Sequence, residues 1–221
     1  MARKTRSPEV VEKVKQNIIE EAMKLIIEVG FFHMSMRKLA DRVGMSATNL
    51  YYYYSNRDEI YLNIQIKGFK ALQEVLEEVF ISQNDPFETL KKMIRVYLEF
   101  GFNNPDYYQI MLNSDTPRYL EYRGDKAEPV ALEAKQAALN ALAVPMKAIE
   151  DNAAVPAVDV EFRAYQLWIT LHGIVTLYNR NILAELNQTP EKLIIRLCEE
   201  LMLPFYKSQT TLTTEGIING N

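Results

Sequence analysis

The chain has 221 residues, 48% of them hydrophobic and 24% charged, with a net charge of −4. That make-up supports a sizeable core and excludes overall disorder. Only 8 glycines are present, against a usual share of about 7%, which disfavours glycine-rich phosphate loops and turn-dense β architectures; one cysteine, Cys198, and two histidines, His33 and His172, exclude an intrachain disulfide and leave little for a metal site.

Neither a metal nor a cofactor is expected. Met1 to Arg6 is basic, but an amphipathic stretch follows it rather than the apolar core of a signal peptide, and no run approaches the roughly 18 apolar residues of a bilayer span. A cytoplasmic protein with no membrane partner is predicted. Charge is uneven: residues 1–60 carry a net +2 and residues 61–221 a net −6, which suggests two tasks in one chain.

Ile18, Ala22, Leu25, Ile26 and Val29 recur at helical spacing before Gly30, predicting a first helix over 9–29. Two short helices follow, 36–43 ending at Gly44, and 47–54 starting after Ser46, a good N-cap. Asn56 and Glu59 have the spacing of a capping box and open a helix that runs to about Phe80. Ser82 to Pro86 is a polar break. Further helices are predicted at 87–101, 105–114, 129–152, 159–186 and 190–206, with breaks marked by proline, asparagine and glycine, and 207–221 reads as a flexible tail. The fold class is all-α. The domains are residues 1–62, with a connecting helix to about 80, and residues 83–206.

The pair of short helices has what a helix-turn-helix requires. Ala40 is small where the second helix crosses the first, Gly44 tolerates the turn, and Leu50 plugs the angle between them. A helical corner in any all-α protein shares that spacing. The outward residues Ser46, Thr48, Asn49, Tyr51, Tyr52, Tyr53 and Arg57 favour DNA, because base edges need short polar groups and aromatics, and phosphates need cations. Leu50 and Tyr54 are expected to be buried.

Residues 18–62, with Ser35-Met36-Arg37-Lys38-Leu39-Ala40, Val43-Gly44-Met45-Ser46, Asn49-Leu50-Tyr51-Tyr52-Tyr53-Tyr54 and Ser55-Asn56-Arg57-Asp58-Glu59-Ile60, resemble the N-terminal domain of the TetR family of transcriptional regulators. Tyr53 stands where histidine is common there, Tyr54 where phenylalanine is usual, and Arg57 where lysine is usual. The resemblance implies a homodimer with two DNA-binding heads and an all-helical body that dimerises and holds a small-molecule effector. It further implies that Ser46, Thr48, Asn49 and Tyr52 read the major groove of a pseudo-palindromic double-stranded operator. Ser35, Arg37, Tyr51, Tyr53 and Arg57 would hold the phosphate backbone.

The second half is less decisive. Trp168 to Gly173 resembles a Trp-x-x-x-His-Gly signature of some effector domains of that family, and Trp168 and His172 share one helix face. Gly173 reads as a helix-packing contact. Tyr107, Tyr108, Met111, Tyr165, Trp168 and His172 are the candidate lining of a pocket for a neutral, lipid-like or aromatic ligand; the same residues would equally serve as plain core. The stripes Leu167, Leu171, Ile174, Tyr178 and Leu193, Ile194, Leu197, Leu201 are the candidate dimer surface. Two further readings stand beside the ligand-responsive repressor: a DNA-binding dimer whose body docks a protein partner, and a helical enzyme. The second has no visible nucleophile–base pair to support it.

Overall fold

The computed structural model of the protein describes residues 7–113, 117–152, 154–186 and 189–206. Among them the secondary structure is helical throughout: α1 (Pro8–Val29), α2 (Met36–Arg42), α3 (Ala47–Tyr51), α4 (Arg57–Ser82), α5 (Pro86–Asn103), α6 (Pro105–Tyr108), α7 (Glu128–Glu150), α8 (Val160–Asn179), α9 (Ile182–Leu186) and α10 (Pro190–Met202). None of these helices is long and apolar enough to cross a membrane. The expected tail, 207–221, lies outside the described residues.

Local chemistry sets most of the ends. Gly30 terminates α1 at φ +81°, its N–H reaching the Ile26 carbonyl, a left-handed conformation that suits glycine. Asn56 accepts from the Glu59 N–H at 2.8 Å, while the Glu59 carboxylate takes the N–H of Ser55. Asp85 caps α5 by accepting from Phe87 and Glu88, with Pro86 at the first helical position.

Two expectations are corrected. The predicted helix over 159–186 is broken at Arg180–Asn181, where Asn181 takes φ +59°, a conformation asparagine tolerates better than most side chains. The second short helix stops at Tyr51 rather than Tyr54, with turns following it. After α6 the chain adds a π-type turn over Gln109–Asn113 and, later, a 3-10 turn over Tyr119–Tyr122.

Helix α4 is the axis of the molecule. Its first half, Ile60 to Ile66, packs into the core of α1–α3, and its second half, Leu72 to Val79, into the core of α5, α7 and α8. Alanines at 131, 134, 137, 141 and 148 give α7 a narrow buried stripe, which lets α7 lie close along α4, its most extensive partner. The core of α1–α3 also takes in Ile110, Tyr122, Ala127, Ala131 and Ala134. The apolar interior therefore runs past the polar break at 82–86 rather than dividing there.

Close packing at glycine is found at Gly101, where an added Cβ would sit 2.6 Å from Val175 Cγ1 and 2.8 Å from its Cγ2. A β-branched valine has little room to turn away. Gly173, read from sequence as the packing contact, has nothing within 4 Å of its Cβ direction among the described residues. Gly101→Ala is therefore expected to lower stability by about 1–3 kcal/mol through overpacking. Gly173→Ala should be neutral or stabilising by up to about 1 kcal/mol. Urea unfolding of the two variants against the parent checks both, and equal effects would contradict the packing described.

Candidate nucleic-acid interface and internal cavity

The turn between α2 and α3 is built from three constraints met locally. Ser35 accepts from the Lys38 N–H and Ser46 from the Asn49 N–H, each at 3.2 Å. Gly44 adopts φ +69°, and the Met45 N–H returns to the Ala40 carbonyl at 2.9 Å. Leu39, Ala40 and Leu50 are buried beneath the turn. Both serines use an oxygen lone pair as the cap, so each retains its hydroxyl proton as a donor.

On the outer side Ser35, Arg37, Ser46 and Thr48 are exposed, and Asn49 is half-buried. Tyr51 and Tyr52 project outward, Tyr52 being 76% exposed. Tyr53 is a correction: only 5% of it is exposed, and its ring packs edge-on to Tyr52 over the core of the head. Helix α3 ends at Tyr51, so the following turns carry Tyr53 inward beside Tyr54, which is buried as expected. Arg57 is half-buried and already engaged. Its guanidinium lies 4.9 Å from the Phe31 ring centre and donates to the Phe32 carbonyl at 3.0 Å, tying the start of α4 to the turn after α1. Only part of a five-donor fork is used there.

Arg42, unremarked in the sequence, clamps α2 to α1 through Glu28, at 2.5 and 2.8 Å, and Glu21, at 2.7 Å. Hydrogen bonds from Arg42 hold the Glu28 carboxyl below the usual range, and those from Lys24 and then Arg42 do the same for Glu21. The clamp neutralises acids close to the exposed face.

In the body lies a cavity of about 430 Å³, within the size range of small-molecule sites. Leu62, Gln65, Phe69, Leu72 and Leu76 of α4 form one wall, with α5, α7 and α8, Met111 and Leu112, and Pro117 to Tyr119 forming the others. Arg118, Lys135, Leu139 and Tyr165 are lining residues that also reach solvent, so they mark its mouth. Lys135 sits 4.6 Å from the Tyr119 ring centre. No carboxylate, imidazole or thiol lines the cavity among the described residues.

Of the residues expected in the pocket, Met111, Tyr165 and Trp168 line this cavity. Tyr107, Tyr108 and His172 do not. Tyr107 packs between the two cores beside Gly68, while Tyr108 and His172 stand behind the wall, the Tyr108 hydroxyl 2.9 Å from His172 Nδ1. Tyr97, read only as part of an apolar helix, belongs to both groups: it lines the cavity, and its hydroxyl is 3.0 Å from that of Tyr108. Burial raises Tyr97 to about 12, with the Tyr108 hydroxyl and the Trp168 indole beside it pulling the other way. The one signal in the sequence was a phenol in the middle of an apolar stripe, whose tip needs a partner.

Residues 18–64 match a family model described as bacterial regulatory proteins, tetR family. Residues 90–201 match one described as the C-terminal domain of tetracycline repressor-like proteins. The fold is similar to that of the fatty acid degradation regulator FadR from Bacillus halodurans, at 14% identity over 90% of this chain and 97% of that one, with a TM-score of 0.65. A TetR family transcriptional regulator, PfmR from Thermus thermophilus, is 18% identical over 86% of this chain and 99% of its own, with a TM-score of 0.64. FadR from Bacillus subtilis in complex with stearoyl-CoA is 15% identical over 86% and 99%, with a TM-score of 0.65.

Burial holds His172 below the ordinary histidine range. Below about pH 6.5 the unfolded chain takes up a proton at this residue that the folded chain refuses, so its contribution to stability is whole above that pH and is lost as the pH falls. The urea midpoint of the protein should therefore drop further between pH 7 and pH 5.5 than that of His172→Gln. Equal drops would contradict a buried neutral imidazole.

Proposed function

Because the chain belongs to the TetR family of transcriptional regulators, we propose that it binds a pseudo-palindromic operator as a homodimer and leaves it when an apolar, lipid-like ligand fills the cavity. One observation carries this reading. Helix α4 begins one short turn after the exposed face of α3 and then supplies a wall of the cavity, so a ligand pressing on α4 shifts the mounting of the recognition helix. In this reading Ser46, Thr48, Asn49 and Tyr52 meet base edges, and Ser35, Arg37 and Tyr51 meet phosphates. Tyr53 supports Tyr52 from below, and Arg57 divides its donors between the Phe32 carbonyl and the backbone of the duplex.

The dimer surface is argued from what the body leaves uncovered. Leu167, Leu171 and Ile174 are consumed by the chain's own core, and Leu193, Leu197 and Leu201 pack against it, so the stripes expected to pair two subunits are largely inward. An apolar stripe remains on the outer side of α8: Phe162 is 61% exposed, Ile169 62%, with Tyr165 between them and Ile195 exposed on α10. A contiguous exposed apolar stripe of this kind marks a contact surface. Dimer symmetry then doubles a short recognition site into an inverted repeat.

The cavity supports a ligand with a long apolar body, and the Bacillus subtilis neighbour's stearoyl-CoA is of that kind. Arg118 and Lys135 border the mouth and suit a polar end held there. Release requires that the ligand favour a conformation in which the two recognition helices no longer fit successive grooves, and linkage makes the effect reciprocal.

Ile169→Asp places an unpaired charge in the proposed interface and should give monomers by sedimentation; a dimer of unchanged strength would exclude this face. Duplexes selected from random sequence should contain inverted repeats whose half-site centres lie about 10 bp, or a whole multiple, apart. Arg37→Ala should weaken all of them alike and flatten the salt dependence by roughly one unit. Tyr52→Ala should lose about 1–3 kcal/mol of discrimination at one base position. Stearoyl-CoA should weaken binding to the selected operator, and the operator should weaken stearoyl-CoA binding by the same factor; equal ligand affinity with and without operator would overturn release by ligand.

A further inference from the structure

Three side chains form a continuous hydrogen-bonded string through the otherwise apolar body. The Tyr97 and Tyr108 hydroxyls are 3.0 Å apart, and the Tyr108 hydroxyl lies 2.9 Å from His172 Nδ1. The His172 ring stacks at 26° on both Tyr108 and Trp168, which packs the string from its sides. Tyr97 of the string and Trp168 beside it line the cavity.

A phenol has one proton and two acceptor sites. Facing a mainly apolar cavity wall, the Tyr97 proton has its best partner inside the string. Tyr97 then donates to Tyr108, Tyr108 donates to Nδ1, and the neutral imidazole carries its proton on Nε2. The opposite direction turns the Tyr97 proton into the cavity, and a donor left there without a partner is costly. An acceptor arriving in the cavity removes that cost.

Resting on the reading of this cavity as the effector site, we infer that Tyr97 is its specificity-determining group: it selects ligands bearing a carbonyl-type acceptor on an apolar body, and its occupation reverses the string and moves the His172 ring proton from Nε2 to Nδ1. The protons balance. Tyr97 turns its proton to the ligand, Tyr108 turns its own to Tyr97, and Nδ1–H donates to Tyr108. His172 is half-buried, so water can take the proton from Nε2 and return one to Nδ1. The cavity thereby reads a functional group as well as a shape, and reports it behind its wall with no side chain displaced.

The test uses the full-length protein with 15N-labelled histidine, whose long-range nitrogen spectra distinguish the two tautomers. His33→Gln assigns the remaining signal to His172, the only other histidine. The ligand-free protein should show the Nε2–H form, 2-tridecanone should convert it to Nδ1–H, and tridecane, which lacks the carbonyl, should leave it unchanged. By calorimetry the ketone should bind roughly tenfold tighter than the alkane. Tyr97→Phe should abolish that preference. A ketone that binds without changing the tautomer, a Tyr97→Phe variant that keeps the preference, or an Nδ1–H signal before any ligand is added would each overturn the inference and leave the cavity standing as an effector site. Failure of both compounds to bind would overturn the two together.

Discussion

Everything in this molecule depends on α4 being buried twice. Ile60, Tyr61, Leu62, Ile64 and Ile66 are packed by the head, and Leu72, Leu76 and Val79 by the body. A helix that crosses between two cores keeps its continuous backbone hydrogen-bonding only if both cores are satisfied along the same rod. The alanine stripe of α7 makes this possible by bringing a second rod close over the same length. The cavity lies along this axis where α4, α5, α7 and α8 diverge, and its α4 wall from Leu62 to Leu76 overlaps the ends of both cores. Two neighbouring cores and one space beside them are thus consequences of a single long helix.

What could be read from the sequence was whatever is decided within one turn of chain. The caps at Ser46 and Asn56, the glycine ends of α1 and α2, and the burial of Leu50 and Tyr54 follow from local hydrogen bonding and periodicity. These also carried the family resemblance. Less legible was the direction in which a side chain faces when several faces are apolar. Tyr53 looked available because four tyrosines in succession cannot all be inward on a helix, yet the helix ends at Tyr51 and the count no longer applies. Leu167, Leu171 and Ile174 looked like a partner surface because periodicity reports a stripe without saying which core consumes it. Trp168 was singled out with His172 by a short signature and a shared helix face, and Met111 and Tyr165 with Tyr108 as large, mostly apolar side chains, yet Tyr108 and His172 stand one layer behind. Tyr97 escaped because nothing local separates a phenol in a core from a phenol on a wall.

The head gains its rigidity by unusual means for so exposed a unit. Arg42 spans two acids of α1, and Arg57 lies against Phe31 while holding the Phe32 carbonyl. Both guanidiniums join α1 or its following turn to the elements that frame α3. Individually such exposed ion pairs contribute little. Their geometry matters more, since they fix a five-residue helix too short to hold its own orientation.

The Tyr122 hydroxyl donates to Asp58 at 3.1 Å. Tyr122 closes the 3-10 turn that begins at Tyr119, beside the mouth of the cavity, and Asp58 lies in the first turn of α4, beyond the recognition helix. The head is therefore mounted through α4, through the apolar contacts that Ile110, Ala127, Ala131 and Ala134 add to its core, and through this bond from outside the helix. A rod held at one point pivots about it freely; held at more than one, it turns only when a grip lets go. A swing of the head on the body would thus behave as a latch with a threshold, and less as a spring that yields in proportion to the push.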